Sequence, residues 1–272
     1  MKIHYQVATP EVTKSPNVTS MQGDIYENID KLKRYGYDGV ELMVRDTDLI
    51  DQERIISYIK DKEMNISMIC TGEVYGEDGL TLTSSKKEIR KEAIKRLKKL
   101  INFAEKCRAN LNIGRVRGFY CEELLENETE EFAINSLREL CEYAENKGVS
   151  ILMEPVTRLQ TNFINSTKDG IEFCQKVKKD NFKLMLDIYH MNIEDPCILK
   201  SLKEARDYVK HVHFADNNRR ILGNCGMDFK NILKTLKEIE YEGVISLEIF
   251  QIPNQDVAAK KSIEYLKTIM EE

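Results

Sequence analysis

The feature that most constrains this chain is an alternation. Short apolar runs of strand length recur along it, and helical patterns fill the gaps between them. The runs are KIHYQVA (2–8), YDGVELMV (37–44), NISMICTGEV (65–74), NLNIGRV (110–116), VSILMEPV (149–156), FKLMLDIYH (182–190), VKHVHFA (209–215) and GVISLEIF (243–250). Several are continuously apolar, which suits parallel strands buried on both faces. The clearest helical pattern runs from about Lys86 to Lys106. There Ile89, Ala93, Leu97, Leu100, Ile101 and Ala104 make one apolar stripe, and lysines and glutamates cover the rest. Others span about Glu130 to Asn146 and the segment from about Asp256 onward, while Gly148 and Gly243 read as helix stops.

Strict β-α alternation predicts a parallel sheet with helices outside. Eight such units in 272 residues fit a closed (β/α)₈ TIM barrel, with an open doubly wound sheet as the alternative. No Pro/Gly/Ser-rich linker or low-complexity tract marks a boundary, so residues 1–272 are expected to form a single domain.

Four polar residues interrupt the last four runs: Glu154, Asp187, His213 and Glu248. Each stands near the end of its run, about one strand-plus-helix unit from the next. A carboxylate in a core-type strand is costly unless something pairs with it. Side chains alternate along a strand, so Leu152 shares a face with Glu154, Met185 with Asp187, His211 with His213 and Ser246 with Glu248. All four can point into a barrel near its C-terminal mouth, where barrel enzymes carry their chemistry. Alone, a strand-end Asp is often a helix N-cap, and a lone His is more often a core residue. Together, three carboxylates and one imidazole read as the ligand set of one divalent metal ion. Mn²⁺, Mg²⁺, Co²⁺ and Zn²⁺ all accept such donors, and the carboxylate-rich set favours Mn²⁺ or Mg²⁺.

The formal net charge of −5 argues against a nucleic-acid partner. Seven scattered cysteines without C-x-x-C spacing suggest reduced thiols rather than a disulfide framework. The segment MKIHYQVATPEV lacks the apolar core of a signal peptide, and no run approaches the length of a membrane span. The expectation is a cytoplasmic protein with no membrane partner.

The segments MEPVTR, MLDIYHMNIED, HVHFADNNRR and ISLEIF resemble the xylose-isomerase-like barrel superfamily of sugar and sugar-phosphate isomerases and epimerases. Within it they resemble ketose 3-epimerases of the D-tagatose and D-psicose type, and hydroxypyruvate isomerase. The resemblance implies metal ligands at Glu154, Asp187, His213 and Glu248. It implies acid/base roles for Glu154 and Glu248, and substrate binding by His190 and Arg219. Where the ketohexose epimerases of the family place a substrate-binding glutamate, this chain has Gln160, which keeps hydrogen bonding and loses the charge. Mn²⁺ is the favoured ion in this reading.

The implied chemistry is proton transfer through a cis-enediolate, with the two glutamates on opposite sides of a sugar substrate. A lyase of the same superfamily, a dehydratase or C-glycoside deglycosidase, would use similar groups. A non-enzymatic sugar-binding relative would be expected to lose one of them. An AP endonuclease would need a multi-zinc, histidine-rich site, and this chain has four histidines. The expected partner is a small sugar, with a homo-oligomer left open. Other polar features admit readings of their own. Arg115 and Arg117 could meet an anion or serve as salt-bridge partners. Glu41 and Glu73, near strand ends, are expected to have no catalytic role. His4 and His211 read as core histidines. Residues 217–228 read equally as a loop ordering over substrate or as an ordinary connection.

Overall fold

The computed structural model describes residues 1–271. Eight parallel strands close into a barrel in chain order: β1 (Lys2–Ala8), β2 (Gly39–Met43), β3 (Asn65–Cys70), β4 (Asn110–Ile113), β5 (Ile151–Met153), β6 (Phe182–Asp187), β7 (Val209–Phe214) and β8 (Val244–Leu247). The last strand pairs with the first, Lys2 opposite Val244 and His4 opposite Ser246. The closed alternative was therefore the right one. The three helices expected from periodicity occur at Lys87–Cys107, Glu126–Glu145 and Gln255–Glu271.

Most strands stop short of their apolar runs, and the reasons are local. After Cys70 the chain turns into the helix Gly72–Gly76. After Ile113 it enters a 3₁₀ turn at Arg115–Arg117. At Asp187 the carboxylate accepts the Tyr189 N–H at 2.8 Å and caps the helix Ile188–Glu194.

The two faces of the barrel wall are packed differently. Outward residues such as Val7, Leu42, Ile113, Leu186, Phe214 and Leu247 join the helices in one large apolar cluster. Inside, Met68, Leu152 and Met185 form a small separate cluster. The rest of the lumen is largely polar, with His4, Gln6, Glu41, Asn112, His211, His213 and Ser246 all buried. Barrel lumens are more often layered with branched aliphatic side chains. His4 Nδ1 lies 2.9 Å from Ser67 Oγ, and Gly39 makes room for its ring: a Cβ there would sit 2.4 Å from His4 Cε1. All seven cysteines are free, as expected. Among the described residues no helix is long and apolar enough to cross a membrane.

Candidate metal and substrate site

β5 to β8 bring the four expected donors together at the C-terminal mouth. Asp187 is the last residue of β6, and His213 is next to last in β7. Glu154 and Glu248 stand one residue past their strands, yet their N–H groups still donate across the sheet to Ile113 O (3.1 Å) and Phe214 O (3.4 Å). One donor atom from each of the four residues lies within 4.8 Å of the others, and all four side chains are buried. His213 Nδ1 is 3.2 Å from Glu248 Oε2 and 4.0 Å from Asp187 Oδ2.

Three carboxylates in one dry place repel one another. Burial, and after it the Glu248 charge, pushes Glu154 up to about 7. Burial likewise pushes Asp187 up to about 6, against the pull of Arg219. Burial would raise Glu248 too, but Arg219 and His213 outweigh it and hold it well below the carboxylate range. Burial would lower His213, but Glu41 and Glu248 hold it well above the usual imidazole value.

The donor set fits a divalent cation on two counts. The residue types and spacing are those of an oxygen-rich site with one imidazole. Asp187 Oδ2 is also buried with no hydrogen bond, although Arg219 Nη2 approaches it to 3.1 Å outside hydrogen-bond geometry. A buried carboxylate oxygen left in that state is costly, and a cation in the cluster would satisfy it.

Arg219 is buried and engages the donor cluster itself. It pairs with Glu248 as well as Asp187. Its backbone has a positive φ of 56°. Its N–H donates to Asp216 O and its carbonyl accepts from Phe250 N, each at 2.7 Å, so a locked left-handed turn aims the side chain inward. His190 is buried, and its Nδ1 accepts the Thr157 N–H at 3.4 Å. Its Nε2 faces Glu154 (3.8 Å) and Asp187 (3.9 Å). Gln160 is exposed on the turn after β5, at the rim.

Glu154, Glu248, His190, Arg219 and Gln160 line one cavity of about 280 Å³. A larger hollow of about 860 Å³ lies at the opposite end of the barrel, beside Lys2, His4, Lys210 and Val244. The smaller cavity is the one lined by Glu154 and Glu248 of the donor cluster.

Sequence reasoning missed several supports. Asn112 on β4 donates to Glu154 Oε2 at 3.2 Å. Thr19, on the loop after β1, donates to Glu248 Oε1 at 2.9 Å. Gly114 leaves room for the Glu154 carboxylate, because a Cβ there would lie 2.8 Å from Glu154 Oε2 and displace it. Glu41 is fully buried, with Oε2 at 2.8 Å from His213 Nε2 and 3.1 Å from His211 Nε2. The two arginines divide. Arg115 pairs with Glu73 at 3.1 Å near the cavity. Arg117 is fully buried and donates only to carbonyls: Glu154 O (2.7 Å), Phe163 O (2.8 Å), Gly114 O (3.0 Å) and Ile164 O (3.0 Å). The loop 217–228 is wound around Asp216, whose carboxylate accepts from the N–H groups of Asn217, Asn224, Cys225 and Met227.

Comparison with known proteins decides the family. The xylose isomerase-like TIM barrel family model matches residues 29–269. The chain belongs to the xylose isomerase-like TIM barrel family. Among curated members, it is 37% identical over 118 residues to an L-ribulose 3-epimerase of Methylomonas sp. (strain DH-1), covering 43% of this chain and 41% of that one. It is 25% identical over 238 residues to a protein of Synechocystis sp. described as a "probable ketose 3-epimerase", covering 83% of this chain and 78% of that one. Among solved structures of the same fold, a D-allulose 3-epimerase from Methylomonas sp. in complex with D-allulose superposes with a TM-score of 0.82 at 23% identity, covering 98% and 96% of the two chains.

Proposed function

We propose that this family member is a metal-dependent ketose 3-epimerase, with Glu154, Asp187, His213 and Glu248 holding one divalent ion, Mn²⁺ by preference. The observation that carries the reading is the pair of glutamates, Glu154 and Glu248, which line the same small cavity from β5 and β8 beside the donor cluster. Its volume, about 280 Å³, lies near the lower end of the range for small-molecule sites and suits a single sugar.

When bound, the ion would supply Lewis-acid polarisation of the ketose carbonyl. The chain's own residues do the rest. One glutamate removes the C3 proton to give a cis-enediolate of the substrate. The other returns a proton from the opposite face, which inverts that carbon. Asn112 and Thr19 orient the two carboxylates, and His190 and Arg219 bind sugar oxygens. Asp187 and His213 hold the ion without moving protons. Gln160, neutral where related ketohexose epimerases carry a glutamate, points to a ketose other than a simple free ketohexose.

Incubation of the Mn²⁺-loaded protein with a ketose panel in D₂O tests the reading. Deuterium at C3 is expected, and Glu154→Gln and Glu248→Gln should each abolish turnover to the C3 epimer while the protein stays folded. Deuterium at C1 would replace epimerisation by aldose–ketose isomerisation. No incorporation across the panel would favour a lyase or a sugar-binding protein.

A further inference from the structure

Glu41 has no part in the proton transfers proposed above, yet it is a completely buried carboxylate on β2. Nothing in the packing of a barrel lumen asks for a charge at that level, and aliphatic residues fill such positions more cheaply. Its partners account for it. Oε1 accepts from Gln6 Nε2 at 3.0 Å. Oε2 faces the Nε2 atoms of His213 and His211, at 2.8 and 3.1 Å. The two imidazole rings meet edge to face, with centroids 5.3 Å apart.

We propose that Glu41 is a positioning residue that sets the tautomer and aim of His213, so that Nδ1 is presented to the divalent ion. The inference rests on His213 being a metal ligand, as in the function proposed above. An ionised carboxylate can only accept hydrogen bonds, so the His213 proton resides on the Nε2 that faces it. In the neutral, metal-binding form of the ring the lone pair is then on Nδ1. That atom faces Glu248 at 3.2 Å and Asp187 at 4.0 Å. The imidazole thus stands between a carboxylate that fixes it and carboxylates that share its ion, an arrangement that raises ligand basicity.

The hold extends beyond one contact. Gln6, which donates to Glu41, has its Oε1 3.4 Å from Thr19 Oγ1. Thr19 donates in turn to Glu248 at 2.9 Å. Glu248, His213, Glu41, Gln6 and Thr19 therefore form a ring of polar contacts. Two residues of the donor set, His213 on β7 and Glu248 just past β8, are thus steadied through β1 and β2. None of Glu41, Gln6 and His211 lines the donor-bearing cavity.

The test is Mn²⁺ binding, measured by titration calorimetry on chelator-treated full-length protein, wild type against Glu41→Gln. Loss of an outer partner of this kind weakens metal binding by roughly 10- to 100-fold, and that rise in Kd is the expected result. At saturating Mn²⁺ the KM for the ketose should be unchanged, because Glu41 does not touch substrate. An unchanged Kd in a folded Glu41→Gln protein overturns the proposal. Should Glu41→Gln fail to fold, Glu41→Asp reads the same quantity, since it keeps the charge but withdraws it from His213; wild-type affinity there also overturns the proposal. Wild-type protein that binds no Mn²⁺ at all would instead overturn the function proposed above.

Discussion

Replacing Glu154 with glutamine should stabilise the metal-free protein while destroying its activity. The basis is the position of this carboxyl, held at about 7 instead of its ordinary 4.5 by burial and the Glu248 charge. At roughly 1.4 kcal/mol per pKa unit, that shift corresponds to about 3 kcal/mol. Its sign follows from which state binds the proton more tightly. A raised carboxyl value in the folded state favours the native protein at low pH, and the advantage is lost as the pH climbs through about 7. Wild type thus carries a penalty of about 3 kcal/mol at about pH 8 that the neutral glutamine does not carry. For a chain of this size the gain amounts to roughly 6 °C in Tm. The assay is thermal unfolding of chelator-treated wild type and Glu154→Gln across the pH range, paired with epimerisation rates at saturating Mn²⁺. The gain should be large at about pH 8 and shrink to a small residue by about pH 5. The rate should fall by at least about 10²-fold, the lower end for loss of a general acid or base. A metal-free variant that melts at or below wild type at pH 8, or a gain that persists undiminished in acid, would refute the reasoning.

Two further substitutions probe the supports of the site. Gly114→Ala places a Cβ 2.8 Å from Glu154 Oε2, well inside van der Waals contact. Displacements approaching 1 Å cost up to about 10²-fold in rate, so kcat should drop by roughly ten- to a hundred-fold, and a variant with wild-type kcat would remove the need for glycine here. Arg117→Met strips the donors from four carbonyls, including that of Glu154. At about 1–3 kcal/mol per orphaned acceptor, partly offset by no longer burying a guanidinium, urea unfolding should show a net loss of about 3 kcal/mol, and an unshifted midpoint would contradict this account.

The legible part of this protein was whatever could be read within one strand. Alternation of apolar runs and helical stripes gave the eight β-α units. Strand parity put Glu154, Asp187, His213 and Glu248 on the inner face. The strands end before their apolar runs do, because apolar residues continue past the last ladder bond: Ile188 and Tyr189 prolong the run of β6, but Asp187 caps a helix there. Asp187 combines a helix cap with a place in the donor cluster. One oxygen caps Tyr189 while the other faces the cluster. The illegible part was contact at long range. Glu41 meets histidines 170 and 172 positions away, and Thr19 meets Glu248 across 229. Nothing near Glu41 in the sequence announces such partners, so a glutamate read near a strand end carries no role there. Arg219 was foreseen as a residue of the site, but its turn depends on Asp216 and Phe250, and only the fold shows that it reaches Asp187 and Glu248.

The unequal packing of the barrel wall bears on how such an enzyme can change. Each strand carries two texts, interleaved residue by residue. The outward one, Val7, Leu42, Ile113, Phe214 and their neighbours, is read by the helices. The inward one, Gln6, Glu41, Asn112 and His213, builds the polar lumen at and beneath the donor cluster. Inward revisions therefore need not disturb the apolar layer on which folding depends. A lineage can exchange Gln160 for an acid, or Asn112 for another polar residue, and so try a new sugar while inheriting an intact barrel.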